Sequence, residues 1–302
     1  MTKQIHRAPF DTALFTSIIG SNEPNAVDIH WLEDGWDFVV GIACKNAYRF
    51  PRSKVYEHKL PVEAAFLKQF KENCPVQVPD LKLHTHPQIG NYAAYPFIEG
   101  VPCSRKLVAS CGEKDRNAIA HTLGAFLRAL HTFPVEQAQS IGITKSMTVL
   151  FWKEKYEKLQ KTVFPYVKSS QQNWINDIFA QFIEIIENNP VKNTVIHSDI
   201  MPEHILIDQN THALVGIIDF GDVTIADPAY DFGFLHKYGA DFLSQAYKGY
   251  GRGVDKTFDT RRQFYEDRLV VSNLEHAVLV QDTIWIERRI HELEKYVSAV
   301  HT

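Results

Sequence analysis

The chain has 302 residues, 45% of them hydrophobic, and a formal charge of -4, which is enough apolar material for one large domain or two lobes. Lys and Arg are interspersed among Asp and Glu without a basic stripe, which argues against nucleic acid as the main partner, and no run approaches a membrane span. Cys44, Cys74, Cys103 and Cys111 make no C-x-x-C pair and the first residues lack a signal peptide's apolar core, so no zinc or redox motif is expected and a cytoplasmic setting with reduced thiols is.

In chain order, residues 15–19 read as part of a short helix. Residues 32–43 read as a turn entering a strand, with Gly35 suited to a positive φ. A second strand follows at 46–52, with Arg49 between two aromatics and a stop at Pro51. The next helix carries Glu63, has Pro61 near its start, and places Phe66, Leu67 and Phe70 at helical spacing. Residues 91–102 begin as a strand and break at Gly100 and Pro102, as a hinge would. Beyond it, Ile119, Leu123, Phe126, Leu127 and Leu130 mark a core helix over 113–131 that Pro134 stops, with His131 as a structural helix-end residue. Further helices are expected near 149–163, 172–188, 238–250, 261–279 and 284–297.

The chemistry concentrates between 194 and 222. Residues 194–196 and 205–207 are short β-type runs, and 208–212 has the turn chemistry that would return the chain along 214–218. Paired strands then carry Asp199 at one entrance and Asp219 at the far end of the return strand. Carboxylates gathered this way repel unless a cation sits between them or one takes up a proton. Magnesium suits the place, because it accepts carboxylate oxygen and leaves positions for phosphate. Phosphoryl transfer asks for little more: an oriented hydroxyl, a metal on the phosphates and positive charge facing them. H-S-D-x-x-x-x-H followed by D-F-G-D parallels the protein-kinase pair of H-R-D-x-x-x-x-N and D-F-G.

With those motifs the chain resembles the aminoglycoside phosphotransferase family, protein-kinase-like enzymes of small molecules that include the choline kinases. L-H-x-x-P at 130–134 is common in the family, while R-F-P-R at 49–52, A-Y-P-F-I-E-G-V-P at 94–102 and A-x-x-x-G at 138–142 are most similar to its macrolide 2'-phosphotransferases. The resemblance implies an α+β, two-lobed fold: a β-rich nucleotide lobe over 1–94, a hinge over 95–102 and a mainly helical lobe over 103–302. It implies that Asp199 orients or deprotonates the acceptor hydroxyl and that Asp219 and His204 face Mg. Arg49, held by Glu63, would grip the phosphates, Gly35 and Asp37 would belong to a phosphate-covering turn, and backbone near Pro96, Phe97 and Ile98 would meet the base of GTP or ATP, with GTP favoured in the macrolide branch. The expected partners are a nucleoside triphosphate and a small-molecule acceptor, in a monomer.

Three positions depart from the wider pattern. Arg49 replaces Lys, which changes reach but keeps the charge. Ser198 replaces Gly, which matters if that position needs a positive φ. His204 replaces Asn, and imidazole is a softer ligand than magnesium prefers, so weaker magnesium binding is expected. For the acceptor, a macrolide amino sugar asks for apolar walls, whereas an aminoglycoside asks for carboxylates such as Glu275, Asp282, Glu287 and Glu292. A choline or sugar kinase is a further alternative, and a nucleotide-binding protein without turnover is the rival from another class. The stretch D-P-A-Y-D leaves Asp227 and Asp231 either as helix caps or as supports of the metal loop.

Overall fold

The structure, a computed structural model, describes residues 11–300 except 27, 34 and 36. Helix α1 (Thr12–Asn22) starts where the Asp11 carboxylate accepts the Leu14 N–H at 3.0 Å, and it lays Phe15, Ile18 and Ile19 on the first sheet. That sheet comprises β1 (His30–Leu32), β2 (Phe38–Ala43), β3 (Asn46–Pro51), β4 (Lys82–His86) and β5 (Gly90–Pro96), antiparallel in the order β1-β2-β3-β5-β4. Phe50 in its centre stacks on Phe15 at 4.2 Å and on Tyr92 at 5.4 Å between ring centroids. The β2–β3 hairpin turns through Cys44 and Lys45, both at positive φ. Two such residues match the twist of the strands, a place where Asn-Gly is the usual choice.

Between β3 and β4 runs α2 (Lys54–Phe70). Its start lies seven residues before Pro61, so Pro61 is inside the helix and not near its beginning as the sequence suggests. A proline there has no N–H to offer the Glu57 carbonyl one turn back. The helix tolerates this because its far half is anchored by packing. Phe66 and Phe70 stack on one another and meet Phe126, Phe133 and Phe220 in one aromatic cluster. Phe220 is the aromatic of D-F-G, so α2 is fastened to the loop that follows Asp219.

The chain leaves the first sheet at Pro96 and reaches β6 (Val101–Pro102), then α3 (Arg105–Ser110), α4 (Glu113–His131), α5 (Val135–Ile141), α6 (Val149–Thr162) and α7 (Ser169–Asn188). Next come β7 (Thr194–Ile196), β8 (Ile205–Ile207), β9 (Leu214–Ile217) and β10 (Thr224–Ala226), and finally α8 (Ala240–Tyr250), α9 (Phe258–Val280) and α10 (Thr283–Val300). A small antiparallel-sheet region thus precedes a larger, mainly helical one. The hairpin read from residues 205–218 is present as β8 and β9, with β6 on its other edge. The expected helices are present within a few residues, but α3 and α5 and the pairing of β10 with β7 carried no local signal. Helices α4 and α8 cross so closely that a Cβ on Gly124 or Gly249 would come 1.9 Å from a backbone oxygen of the other helix. Among the described residues no helix is long and apolar enough to cross a membrane.

Candidate active site

Arg49 leaves β3 into the space between the two regions and is 4% exposed. Its guanidinium lies 4.1 Å over the Phe38 ring, donates to Glu63 Oε1 at 2.5 Å, and reaches Asp219 Oδ1 at 3.2 Å. Burial would lower the Arg49 pKa, but Glu63 and Asp219 more than offset it. The pair read from sequence is therefore formed, and it extends to the D-F-G aspartate, because a guanidinium presents donors in two directions where an ammonium is a single point.

Asp199 and Asp219 are held by backbone that the surrounding structure over-determines. The Asp231 carboxylate accepts the N–H groups of His197 and Ser198 at 2.8 and 2.9 Å. His131 Nε2 lies 3.1 Å from the same carboxylate, and its other nitrogen meets the Tyr250 hydroxyl at 3.0 Å. His197 is fully buried, bonds the Ile218 carbonyl through Nε2, and accepts the Asp199 N–H at Nδ1. One donated and one accepted bond require the neutral ring, and burial pushes its pKa down to about 4. Thus one imidazole ties the Asp199 loop to the residue before Asp219. Both Ser198 and Asp219 sit at positive φ, +67° and +66°. Ser198 occupies a conformation that favours glycine, and its hydroxyl bonds the Asp222 carbonyl at 2.7 Å.

The two carboxylates differ in charge state. Burial pushes Asp199 up to about 6 from an ordinary 3.8, Asp219, Asp222 and Glu203 push the same way, and His204 opposes them. For Asp219 burial also acts upward, but the opposing charges, Arg49 foremost, together bring it below 3.8. One is a settled anion and the other is poised to take up a proton, which is how a base and a metal ligand are told apart.

His204 stands between them. Its Nδ1 lies 2.9 Å from the Asp199 carbonyl oxygen, which can only accept, so Nδ1 carries the hydrogen. Nε2 then faces Asp219 Oδ2 at 3.6 Å. Ligand atoms of Asp199, His204 and Asp219 all lie within 4.8 Å of one another. A neutral imidazole nitrogen and a carboxylate oxygen are both acceptors, and a divalent cation satisfies them together, so the donor set fits one.

A cleft of about 670 Å³ opens on these groups, with Asp37, Asp199, Glu203, Asp219 and Asp222 on its walls beside Arg49 and His204, and Val40, Tyr95 and Ile218 as apolar surface. Gly35 also lines it; a Cβ there would come 2.6 Å from the Phe38 carbonyl oxygen, so glycine is needed for space. Arg52, the second arginine of R-F-P-R, donates from Nε to the Gly35 carbonyl at 2.8 Å and fixes this turn. Pro96 and Ile98 line a different cavity of about 630 Å³ with Cys74, Val76 and Leu214, and the Phe97 N–H is already given to the Lys45 carbonyl at 2.8 Å. The structure therefore brings Gly35, Asp37, Arg49, Asp199, His204 and Asp219 together at the cleft with Glu63 behind Arg49, and leaves Pro96, Phe97 and Ile98 off its lining.

Sequence reasoning left Asp227 and Asp231 with shared alternatives, and the structure separates them. Asp227 caps the turn Pro228–Phe232 through the Ala229 N–H and is bound by Arg261 and Tyr265. Asp231 instead secures the Asp199 loop. Lys59 was missed: its Nζ is 2.6 Å from Asp222 Oδ1 and 3.8 Å from Asp37 Oδ2. Its position one turn before Glu63 was the available signal.

A β-rich part, a helical part, and a cleft holding an arginine–glutamate pair and two unlike aspartates define a phosphotransferase of the protein-kinase type. The chain belongs to the phosphotransferase enzyme family, which it matches over residues 32–289. It is 26% identical over 243 residues to the uncharacterized protein YcbJ of Bacillus subtilis (strain 168), covering 72% of this chain and 74% of that one. An aminoglycoside 3'-phosphotransferase of Streptomyces ribosidificus is 21% identical over 167 residues, 48% of this chain and 62% of the relative. Among solved structures, the GDP and kanamycin complex of the aminoglycoside kinase APH(2'')-IIIa has a TM-score of 0.87 at 23% identity, covering 96% of this chain and 100% of that one. The apoenzyme of macrolide 2'-phosphotransferase MphH from Brachybacterium faecium has a TM-score of 0.69 at 18% identity, with coverage of 93% and 97%.

Proposed function

We propose that this protein transfers the γ-phosphoryl group of GTP or ATP, with Mg, to a hydroxyl of a macrolide antibiotic's amino sugar. The observation that carries the phosphoryl-transfer part is the constellation itself: Asp199, His204 and Asp219 present ligand atoms within 4.8 Å of one another, with Arg49 3.2 Å from Asp219 and braced by Glu63. In this reading Asp199 orients the acceptor hydroxyl and takes its proton, while Arg49, braced by Glu63, holds phosphate oxygens. Asp219 and His204 hold the cation, which when bound neutralises the charge on the phosphates. The Val40 and Ile218 side chains give the base an apolar surface.

Support for a macrolide comes from a second cavity of about 700 Å³ that shares Asp199 and Asp222 with the nucleotide cleft, has Lys59 and Glu63 on its wall, and offers Val62, Met147 and Tyr230 to an apolar acceptor. Three of the four last-helix carboxylates that an aminoglycoside could use are engaged elsewhere. Glu275 is paired with Lys155 and Lys158, Glu292 with Arg288 and Arg289, and Asp282 caps α10 through the Trp285 N–H. An aminoglycoside acceptor is the second reading, favoured by the closer fold match to APH(2'')-IIIa, whose GDP complex also supports GTP as donor. Steady-state kcat/KM for a macrolide and an aminoglycoside panel, each with GTP and ATP, decides between them. The proposal expects the macrolides to exceed every aminoglycoside by at least about tenfold, the effect of a few apolar contacts; the reverse order replaces it with the second reading.

A further inference from the structure

Asp37 and Asp222 approach one another across the cleft from different parts of the chain. Asp37 enters from the turn before β2, and Asp222 follows D-F-G. Both are carboxylates, and the group between them is Lys59: its Nζ lies 2.6 Å from Asp222 Oδ1, 3.8 Å from Asp37 Oδ2 and 5.5 Å from the centre of the Tyr56 ring. Lys59 and Glu63 are four residues apart on α2 and so share one helix face. On that face Glu63 secures the phosphate-gripping arginine while Lys59 reaches the turn over the cleft. Asp222 is also continuous with the catalytic loop, because its carbonyl accepts the Ser198 hydroxyl at 2.7 Å, next to Asp199.

We propose that Lys59 is a positioning residue for the nucleotide: it clamps the phosphate-covering turn at Asp37 to the Asp222 loop, and so sets the height of the cleft in which the triphosphate is held. Without the ammonium the two carboxylates face each other and the turn is driven outward. Two further observations agree with a charge that matters. The Asp37 carboxyl is raised by burial, Lys59 pulls against this, and Asp222 and Asp219 push it further up. Tyr56, three residues before Lys59, also hydrogen-bonds Asp37, so α2 contacts the turn through two side chains. Lys59 itself stays charged: burial acts to lower its pKa, but the hydrogen bond and charge of Asp222 together with the charge of Asp37 raise it.

The proposal rests on the cleft being the nucleotide site, and its test separates the two. Binding of non-hydrolysable GTP and ATP analogues to the full chain is measured without any acceptor, so acceptor identity plays no part. Lys59→Met is expected to weaken the preferred analogue about tenfold, the scale of a half-buried charge pair losing one partner, and Lys59→Arg to restore most of that. Adding Asp37→Asn to Lys59→Met removes the repulsion and should recover most of the lost affinity. If Lys59→Met binds like the wild type, or if the double variant stays as weak as Lys59→Met, the clamp is wrong; the second result would mean that Lys59 meets the phosphates itself. Arg49→Ala is the control for the site: if it leaves binding intact, the nucleotide reading of the cleft fails, whatever Lys59 does.

Discussion

Two regions of this chain are rich in buried or half-buried carboxylates, and they are neutralised in opposite ways. In the last helices the buried glutamates have their own partners: Glu275 has Lys155 and Lys158, and Glu266 has His236, Arg262 and Tyr296. In the cleft, the five carboxylates of Asp37, Asp199, Glu203, Asp219 and Asp222 crowd together and share Arg49, His204 and Lys59. The difference shows that the number of acids in a segment says little about whether it attracts a cation. What counts is the charge left uncompensated once the fold has formed.

That contrast breaks if the two regions respond alike to losing a carboxylate. Asp219→Asn should lower kcat/KM by at least about a thousandfold, as expected when a ligand of the cation that neutralises phosphate charge is lost, with the protein still folded. Glu275→Gln should do the reverse. It leaves Lys155, whose side chain is 23% exposed, without its closest partner, lowering stability by about 2 kcal/mol while KM for the acceptor is unchanged in the folded protein. Denaturant unfolding and steady-state kinetics on the same samples check both, and a large rise in acceptor KM for Glu275→Gln would return the last helices to the acceptor site.

A smaller effect sharpens the comparison within the cleft. The folded protein raises Asp199 to about 6 from 3.8, so above pH 6 the folded state carries an ionised group that it disfavours. This penalty is complete above the folded value, fades as pH falls between the two, and is absent below 3.8. Asp199→Asn in chelator-treated buffer should therefore raise the melting temperature at pH 7.5 and leave it unchanged near pH 3.5. Asp219 is shifted downward, so Asp219→Asn should lower the melting temperature at pH 7.5. The same sign for both variants would contradict the assigned charge states.

Much of this arrangement was legible in the sequence because it depends on local pattern. The β8–β9 hairpin follows from two apolar runs around a polar turn, and the Arg49–Glu63 pair from a strand cation and the next helix. Asp231 was harder: its bonds to His197 and Ser198 span more than thirty residues, and D-P-x-x-D equally describes a cap. The left-handed backbone at Ser198 is held by Asp231 and Asp222, which grip that residue from two sides and lie far from it in sequence. Pro61 misled, since its usual place at a helix start is a local preference that the packing of Phe66 and Phe70 overrides. Of the backbone near Pro96, Phe97 and Ile98 expected at the base, the Phe97 N–H is given to the Lys45 carbonyl, a contact set by how β3 and β5 pair and invisible in either strand alone.

The most direct measurement is single-turnover phosphoryl transfer by Asp199→Asn, with nucleotide saturating and an acceptor that the wild type modifies. Loss of the proton acceptor should slow the chemical step by about 10²–10⁴-fold with nucleotide affinity retained. Transfer at the wild-type rate would contradict the account, because no other group has been assigned the hydroxyl's proton.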